Sequence, residues 1–309
     1  MLQEITDSDL EQVTVPVLYR PFDVRWIFYH DSLVWRTVKR VMHHMLAGKN
    51  LALIVPRRVE HVGSWQHAFV CELISEHVAV SLKTIDYHFP LYLYPDKERR
   101  GLFASLESSL PRPNLNPKLL ETLREANMQE PTPEEIFHYI YAVLYAPAYR
   151  EKYADFLRRD FPRVPLTADV RVFHDLAALG ERLVGLHLLK SPDLDLPAAR
   201  FQGQGDDRVA RSESQGFHYV ADELRVYINK SQFFAPVTPE VWVYQIGGYQ
   251  VCEKWLKDRK ERRLDLEEIR TYCRIITAIK HTIEIQEEID ALYPQVEANL
   301  LPESSQDSG

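Results

Sequence analysis

The sequence predicts an α+β fold. Three observations carry that expectation. β-branched and aromatic runs crowd the first hundred residues, the apolar period turns helical from 118 to 190, and a long apolar stripe occupies about 265–292.

The elements follow in order. Residues 13–30, VTVPVLYRPFDVRWIFYH, predict two short strands broken by a Pro-Phe-Asp turn at 21–23. Val34, Val38, Val41 and Met45 predict a helix over about 33–47, stopped by Gly48. Leu51 to Val55 predicts a buried strand ending at Pro56, and strand-like runs follow near 66–71, 76–82 and 85–94. Residues 95–117 predict a linker, charged and then PRPNLNP. Thr132 predicts a helix cap, with Pro133 first in the helix and Glu134 and Glu135 in its first turn. Pro147 predicts a break, after which a second helix runs to about 160. Thr167 predicts the cap of a third, where Val172, Leu176, Leu179, Leu183 and Leu186 recur at helical spacing.

Residues 191–216 predict a loop-rich crossing, and FHYVADELRVYI a hairpin turned near Ala221–Glu223. Helices over about 247–260 and 265–292 follow, the latter striped by Ile269, Tyr272, Ile276, Ile279 and Ile283, then Ile285, Ile289 and Leu292. The organisation expected is a β-rich part over 1–110, a helical part over 111–200, a hairpin with C-terminal helices over 201–300, and a disordered tail over 301–309.

Composition narrows the function classes. The 309 residues are 45% hydrophobic and 27% charged, the balance of an ordered globular chain. No run approaches the roughly 20 apolar residues of a membrane span, and the acidic start MLQEITDSDLEQ lacks a signal peptide's basic and apolar regions. Cys71, Cys252 and Cys273 are too scattered for a disulfide framework or a zinc knuckle, so a reducing cytoplasm is expected. The net charge of −8 argues against a generally basic nucleic-acid coat. One segment is an exception: Lys254 to Arg263 holds six basic residues against Asp258 and Glu261.

No catalytic constellation is present. The 12 histidines include no HExxH, and GxSxG and the Walker GxxxxGK[ST] are missing, so neither catalytic nor metal-ligating residues are expected. Pro95-Asp96 and Asp258-Arg259-Lys260 are too far apart to read as a nuclease site. Phe201-Gln202-Gly203-Gln204-Gly205 has the letters of the FxGxG loop through which methyltransferases approach S-adenosylmethionine. It follows no buried strand and opens no helix, and NPPY occurs nowhere, so a surface loop is expected.

What stands out is a set of Arg, aromatic and amide clusters: Tyr19-Arg20-Pro21-Phe22-Asp23 with Arg25-Trp26, Trp35-Arg36, Pro56-Arg57-Arg58, Asn229-Lys230-Ser231-Gln232, and Ile246-Gly247-Gly248-Tyr249-Gln250 before Trp255. Arg, Asn and Gln are the side chains able to bond base edges in pairs. The plainer alternatives are that Arg25 pairs with Asp23, that Trp26 and Trp35 belong to the core, and that Gly247-Gly248 is a tight turn.

The same clusters carry a resemblance. YRPFDVRWIFYH, NLALIVPRR, FPLYLYP, RPNLNP, YAPAYREKYADFLRRDFPR, LGERLVGLHLL and IGGYQVCEKWLKDRK occur in the order found in a known module. Over about 13–292 the chain resembles the C-terminal specificity domain of Type ISP (single-polypeptide) restriction–modification enzymes and of related large bacterial helicase–methyltransferases. In such enzymes a nuclease, a translocase, an adenine-N6 methyltransferase and a target recognition domain share one polypeptide.

The resemblance implies a cytoplasmic, bacterial, phage-defence role in which this chain is the non-catalytic part. It would recognise a short double-stranded DNA site and present it to methyltransferase and translocase domains located elsewhere. No cofactor is expected in this chain; S-adenosylmethionine would belong to the partner methyltransferase. A degenerate methyltransferase and a scaffold without DNA binding are the alternatives. The family motifs imply scaffold rather than base readers, and IGGYQ is expected to dock the C-terminal helices. DNA contact is expected from Arg57 and Arg58 at the strand end and from Asn229, Lys230 and Gln232 at the hairpin exit. Lys257 and Arg259 are expected to anchor phosphates.

Overall fold

The computed structural model describes residues 13–60, 63–95, 110–126 and 131–301. The expectations for the acidic start and the tail, and for part of the 95–117 linker, fall outside those residues. β1 (Thr14–Arg20) and β2 (Asp23–Phe28) form the expected hairpin, turned by Pro21 and a left-handed Phe22 at φ 62°. The first helix, α1 (Lys39–Leu46), starts later than its apolar spacing suggests. Asp31 accepts a bond from Thr37 Oγ1 at 2.6 Å and pairs with Lys39, while Val38 is left-handed at φ 46°. The segment before Lys39 is thereby held as turns, an outcome of side-chain bonding that apolar period does not report.

β3 (Ala52–Pro56) lies between β4 (Phe69–Cys71) and β6 (Asp86–Pro90), antiparallel to both, with Ala52 and Ile54 fully buried. β5 (Ile74–Ser75) joins β1 in parallel. Residues 76–82, expected as a strand, are a loop. Asp86 Oδ2 accepts the backbone N–H groups of Val80 at 2.6 Å and Ser81 at 3.2 Å, so those donors turn inward instead of pairing with a neighbouring strand. Burial pushes the Asp86 carboxyl up to about 7. β7 (Tyr92–Leu93) and β8 (Arg112–Pro113) add a small ladder.

The helical part begins with α2 (Pro117–Glu125). α3 (Pro133–Tyr145) has the expected cap, completed as a reciprocal box by Glu135. α4 (Pro147–Lys152) and α5 (Ala154–Leu157) follow the Pro147 break. α6 (Val170–His187) is capped by Asp169 rather than Thr167. Thr167 Oγ1 instead donates to Asn299 O at 3.2 Å, tying the entry of α6 to the end of the chain's last helix. The five apolar residues foreseen on α6 are all buried. Gly180 is required where α6 meets α3, because a Cβ there would stand 1.9 Å from His138 O.

β10 (His218–Val220) and β11 (Arg225–Tyr227) make the hairpin at 221–223, and β12 (Phe233–Ala235) and β9 (Arg200–Gln202) complete its sheet. After α7 (Pro239–Val243), the IGGYQ segment is a second, tiny hairpin of β13 (Gln245–Ile246) and β14 (Tyr249–Gln250). α8 (Val251–Lys257) and the 33-residue α9 (Leu266–Ala298) end the fold. Tyr272, Ile276, Ile279, Ile285 and Ile289 of the foreseen stripe are buried, and the same core takes in residues from Val17 to Val296. Among the described residues no helix is long and apolar enough to cross a membrane, and no His/Cys/Asp/Glu group could hold a metal ion.

Candidate nucleic-acid interface

The basic run at 254–263 is mostly neutralised by the fold. Lys254 pairs with Asp258, Lys257 with Glu253 at 2.7 Å, Arg262 with Glu268 at 3.0 Å, and Arg263 approaches Asp207 at 3.7 Å. Arg259 is only 8% exposed. Its guanidinium bonds Asp23, Glu268 and Trp255 O at 2.9–3.0 Å and lies 3.4 Å from the Trp255 ring centroid. The expectation that Arg259 anchors a phosphate is therefore corrected: every edge of its fork is committed inside the protein. Lys257 remains exposed, but its charge is shared with Glu253 one helical turn away.

Asp23 and Arg25 do pair, at 3.1 Å. The alternative that puts Trp26 and Trp35 in the core does not hold: they are 71% and 86% exposed. Trp26 projects from β2, an edge strand whose Val24 and Phe28 are also exposed. The Arg36 guanidinium lies over the Trp35 ring.

At the hairpin exit, Gln232 is 2% exposed. Its Nε2 donates to Asp207 Oδ1 at 2.6 Å, and its Oε1 accepts from Asp207 N and Asn229 Nδ2, both at 2.9 Å. The expectation that Gln232 contacts DNA is corrected too, since its amide is buried and knits two loops together. Asn229 is partly buried and turns its own loop, accepting from Ser231 N and Gln232 N while donating to Arg208 O. Lys230 is exposed and forms no ion pair with a described residue.

The same loops explain FQGQG. Gly203 has φ 94°, and a Cβ on it would stand 2.0 Å from Ser231 O. One on Gly205 would stand 2.4 Å from Gln232 Oε1. These glycines admit the chain's own 231–232 segment.

Arg57 and Arg58 leave the buried end of β3 exposed, as foreseen. The fold brings a further arginine segment beside them. Val59 N donates to Arg158 O at 3.0 Å, and Arg57 Nε bonds Asp160 Oδ1 at 2.9 Å. Thr84 Oγ1 donates to Arg58 O at 2.7 Å, which seats Lys83 nearby. Arg57, Arg58, Lys83, Arg158, Arg159 and Arg163 thus converge from three segments against Glu60, Asp155 and Asp160. Arg57 and Asp160 hold each other charged, and the Asp160 carboxyl lies below its ordinary range for that reason first. Arg58, Lys83, Arg159 and Arg163 form no ion pair with a described residue; the Arg163 guanidinium rests 5.0 Å from the Phe156 ring centroid. Beside them Tyr87 and Phe89 of β6 and Ile85 just before it are exposed, with the Phe161 ring edge-on to Tyr87 and Phe89 at 4.9 and 5.5 Å. Sequence reasoning missed residues 158–163 as a site. The only local signal was RRDFPR itself, which carries as much of the family pattern as of charge.

IGGYQ, expected to dock the C-terminal helices, seats on the early 66 and 78–81 segments. Gly247 N donates to Gln66 O, Gly248 N to Val80 O, and Tyr249 Oη approaches Val78 O and Ser81 O at 3.0 and 3.1 Å. A Cβ on Gly247, whose φ is 62°, would stand 1.8 Å from Val80 O. The turn braced by Asp86 is thus the seat of the C-terminal hairpin.

Comparison with known proteins gives two kinds of match. The family described as the Type ISP C-terminal specificity domain matches residues 1–288. No curated protein sequence matches. Among solved structures, a cryo-EM DrdV–DNA complex is similar with TM-score 0.70 and 22% identity, over 93% of this chain and 29% of that one. A nuclease-deletion mutant of the Type ISP restriction–modification enzyme LlaGI, bound to a DNA substrate mimic, gives 0.63 and 18%, over 94% and 25%. The ATP-dependent Type ISP enzyme LlaBIII bound to DNA gives 0.67 and 17%, over 94% and 18%. The chain spans less than a third of the length of each.

Proposed function

We propose, because this chain belongs to the Type ISP C-terminal specificity domain family, that it reads a short duplex DNA sequence and presents that site to catalytic domains carried elsewhere. The family match across residues 1–288 carries this reading. The positive surface around Arg57 and Arg58 supports it, since a reader needs phosphate anchors as well as base contacts. An acidic total is compatible, because the attraction is local and the remaining surface can meet other protein domains.

In this reading the chain performs no chemistry of its own. The partner domains are an adenine-N6 methyltransferase, which would hold S-adenosylmethionine, and a translocase with its nuclease. The glycine loop at 203–205 speaks against a degenerate methyltransferase here, because the space it opens is filled by Ser231 and Gln232. A cytoplasmic location follows from the same reading.

The test is selection of duplexes from a randomised pool by the full chain, followed by titration of the enriched duplex and a scrambled one at several salt concentrations. Enrichment of one short motif, bound more tightly than its scramble, is expected. Recovery of unselected sequence, or methyl transfer from S-adenosylmethionine by the chain alone, would overturn the reading.

A further inference from the structure

We infer that the arginine ridge formed by residues 57–58, Lys83 and 158–163 is the phosphate-backbone clamp of this protein, sequence-independent in what it binds. The inference rests on the DNA-recognition reading and names the surface that reading requires.

Its first support is the contrast between two positive segments. The run at 254–263 has the higher charge density in sequence, yet five of its six cations are met by Glu253, Asp258, Glu268, Asp23 and Asp207, and the sixth, Lys260, lies over the Phe217 ring. The ridge gathers six cations against three acids; Arg58, Lys83, Arg159 and Arg163 form no ion pair with a described residue, although the Asp160 carboxylate acts on Arg163 as well as on Arg57. In a chain of net charge −8 such a surplus is a local exception. Unpaired, exposed guanidiniums are the groups that can release counterions from a polyanion.

The second support is rigidity. The strand end at Pro56 is buried and fixed in register against Asp86. The arginine loop is bonded to it through Val59 N and Arg158 O, and Arg158 Nη2 reaches Gly63 O at 3.1 Å. Three segments are thereby held in one arrangement, so the charges need little ordering when they meet a regular row of phosphates. The third support is the shelf of Ile85, Tyr87 and Phe89, 56%, 44% and 40% exposed, which gives sugar edges an apolar surface beside the cations.

The experiment compares the full chain with two multiple variants on short duplexes. One is Arg58→Gln, Arg159→Gln, Arg163→Gln; the other, in the neutralised run, is Arg262→Gln, Arg263→Gln. All the replaced side chains are exposed, and thermal unfolding of each variant serves as the folding check. Losing three phosphate contacts should make the salt dependence shallower by about three units, so that between about 50 and 200 mM salt the parent loses roughly forty-fold more affinity than the ridge variant. The second variant should keep the parent's slope, and the ridge variant should select the same motif as the parent. A ridge variant with the parent's affinity and slope overturns the clamp while leaving sequence recognition standing, and would mark the surface as a protein-docking face. A changed motif overturns the phosphate role in favour of base reading. A parent that binds no duplex overturns both the clamp and the recognition reading.

Discussion

Tyr141 and His187 meet 2.6 Å apart, Oη to Nδ1, in the interior between α3 and α6. The other ring nitrogen lies 3.0 Å from Thr282 Oγ1, whose proton goes to Ala278 O. With the Thr282 proton spent on Ala278 O, Nε2 donates to Thr282, and in the neutral ring that burial favours Nδ1 is left to accept from Tyr141 Oη. Burial, then the Arg150 charge, holds its pKa down at about 3, against an ordinary 6.5.

The consequence is a defined acid sensitivity. Below about pH 6.5 the unfolded chain takes up a proton at this histidine that the folded chain refuses, so stability should fall steadily as pH drops from 6.5 toward 3. His88, held at about 4 by burial, adds to the loss. Asp86 acts in the opposite sense, since its raised carboxyl favours the fold at low pH. Urea unfolding of the parent and His187→Gln from pH 4 to 7 checks this. The variant should be less stable at neutral pH and lose less on acidification; parallel curves would remove His187 from the account.

Asp23 is 2% exposed and faces Arg259. Asp23→Ala leaves that guanidinium buried with one acid, Glu268, in place of two. We expect a loss of about 3–5 kcal/mol, read as a lower denaturant midpoint at unchanged slope. Arg259→Lys should not preserve stability, because an ammonium cannot serve Asp23, Glu268 and Trp255 O as the planar fork does. A variant as stable as the parent would show that the pair is dispensable.

Much of this architecture was legible from the residues. The Thr132 cap, the α6 and α9 stripes and both β-hairpins of Val13–His30 and Phe217–Ile228 rest on local pattern, and pattern survives folding. The start of α1 was missed because Asp31 reaches forward to Thr37 and Lys39. The loop at 76–82 was missed because its N–H groups turn to Asp86. Misassignment of Arg259 and Gln232 has one cause: charge and amide groups look available in sequence until the partner arrives from far along the chain. The arginines at 158–163 were overlooked for the converse reason, since Arg57 and Arg58 become their neighbours only when β3 packs.

Gly247→Ala tests the docking of the IGGYQ hairpin. The added methyl would stand 1.8 Å from Val80 O in a left-handed backbone. Destabilisation by about 2 kcal/mol or more is expected, with faster amide exchange at Val80 and Gly248. Unaltered exchange at those two amides would contradict the seating described.

Ile276 lies in the α9 stripe and is 1% exposed. Ile276→Asp puts a carboxylate into that packing without a partner, costing several kcal/mol out of a total of about 5–15. Calorimetry should find the melting transition far lower or lost. An unchanged transition would place the stripe at the surface.

Residues 23 and 259 are separated by 236 positions. During synthesis at about 5–20 residues per second, the first hairpin emerges roughly 12–47 seconds before the arginine that covers its buried carboxylate. Until then Asp23 stays hydrated and the hairpin is held by its own ladder and nearby apolar contacts. The IGGYQ hairpin that seats on the 78–82 loop arrives almost as late. A nascent chain halted before Arg259 thus carries strands without their closing partner, an open substrate for chaperones and proteases, and this fold closes only after Arg259 has emerged.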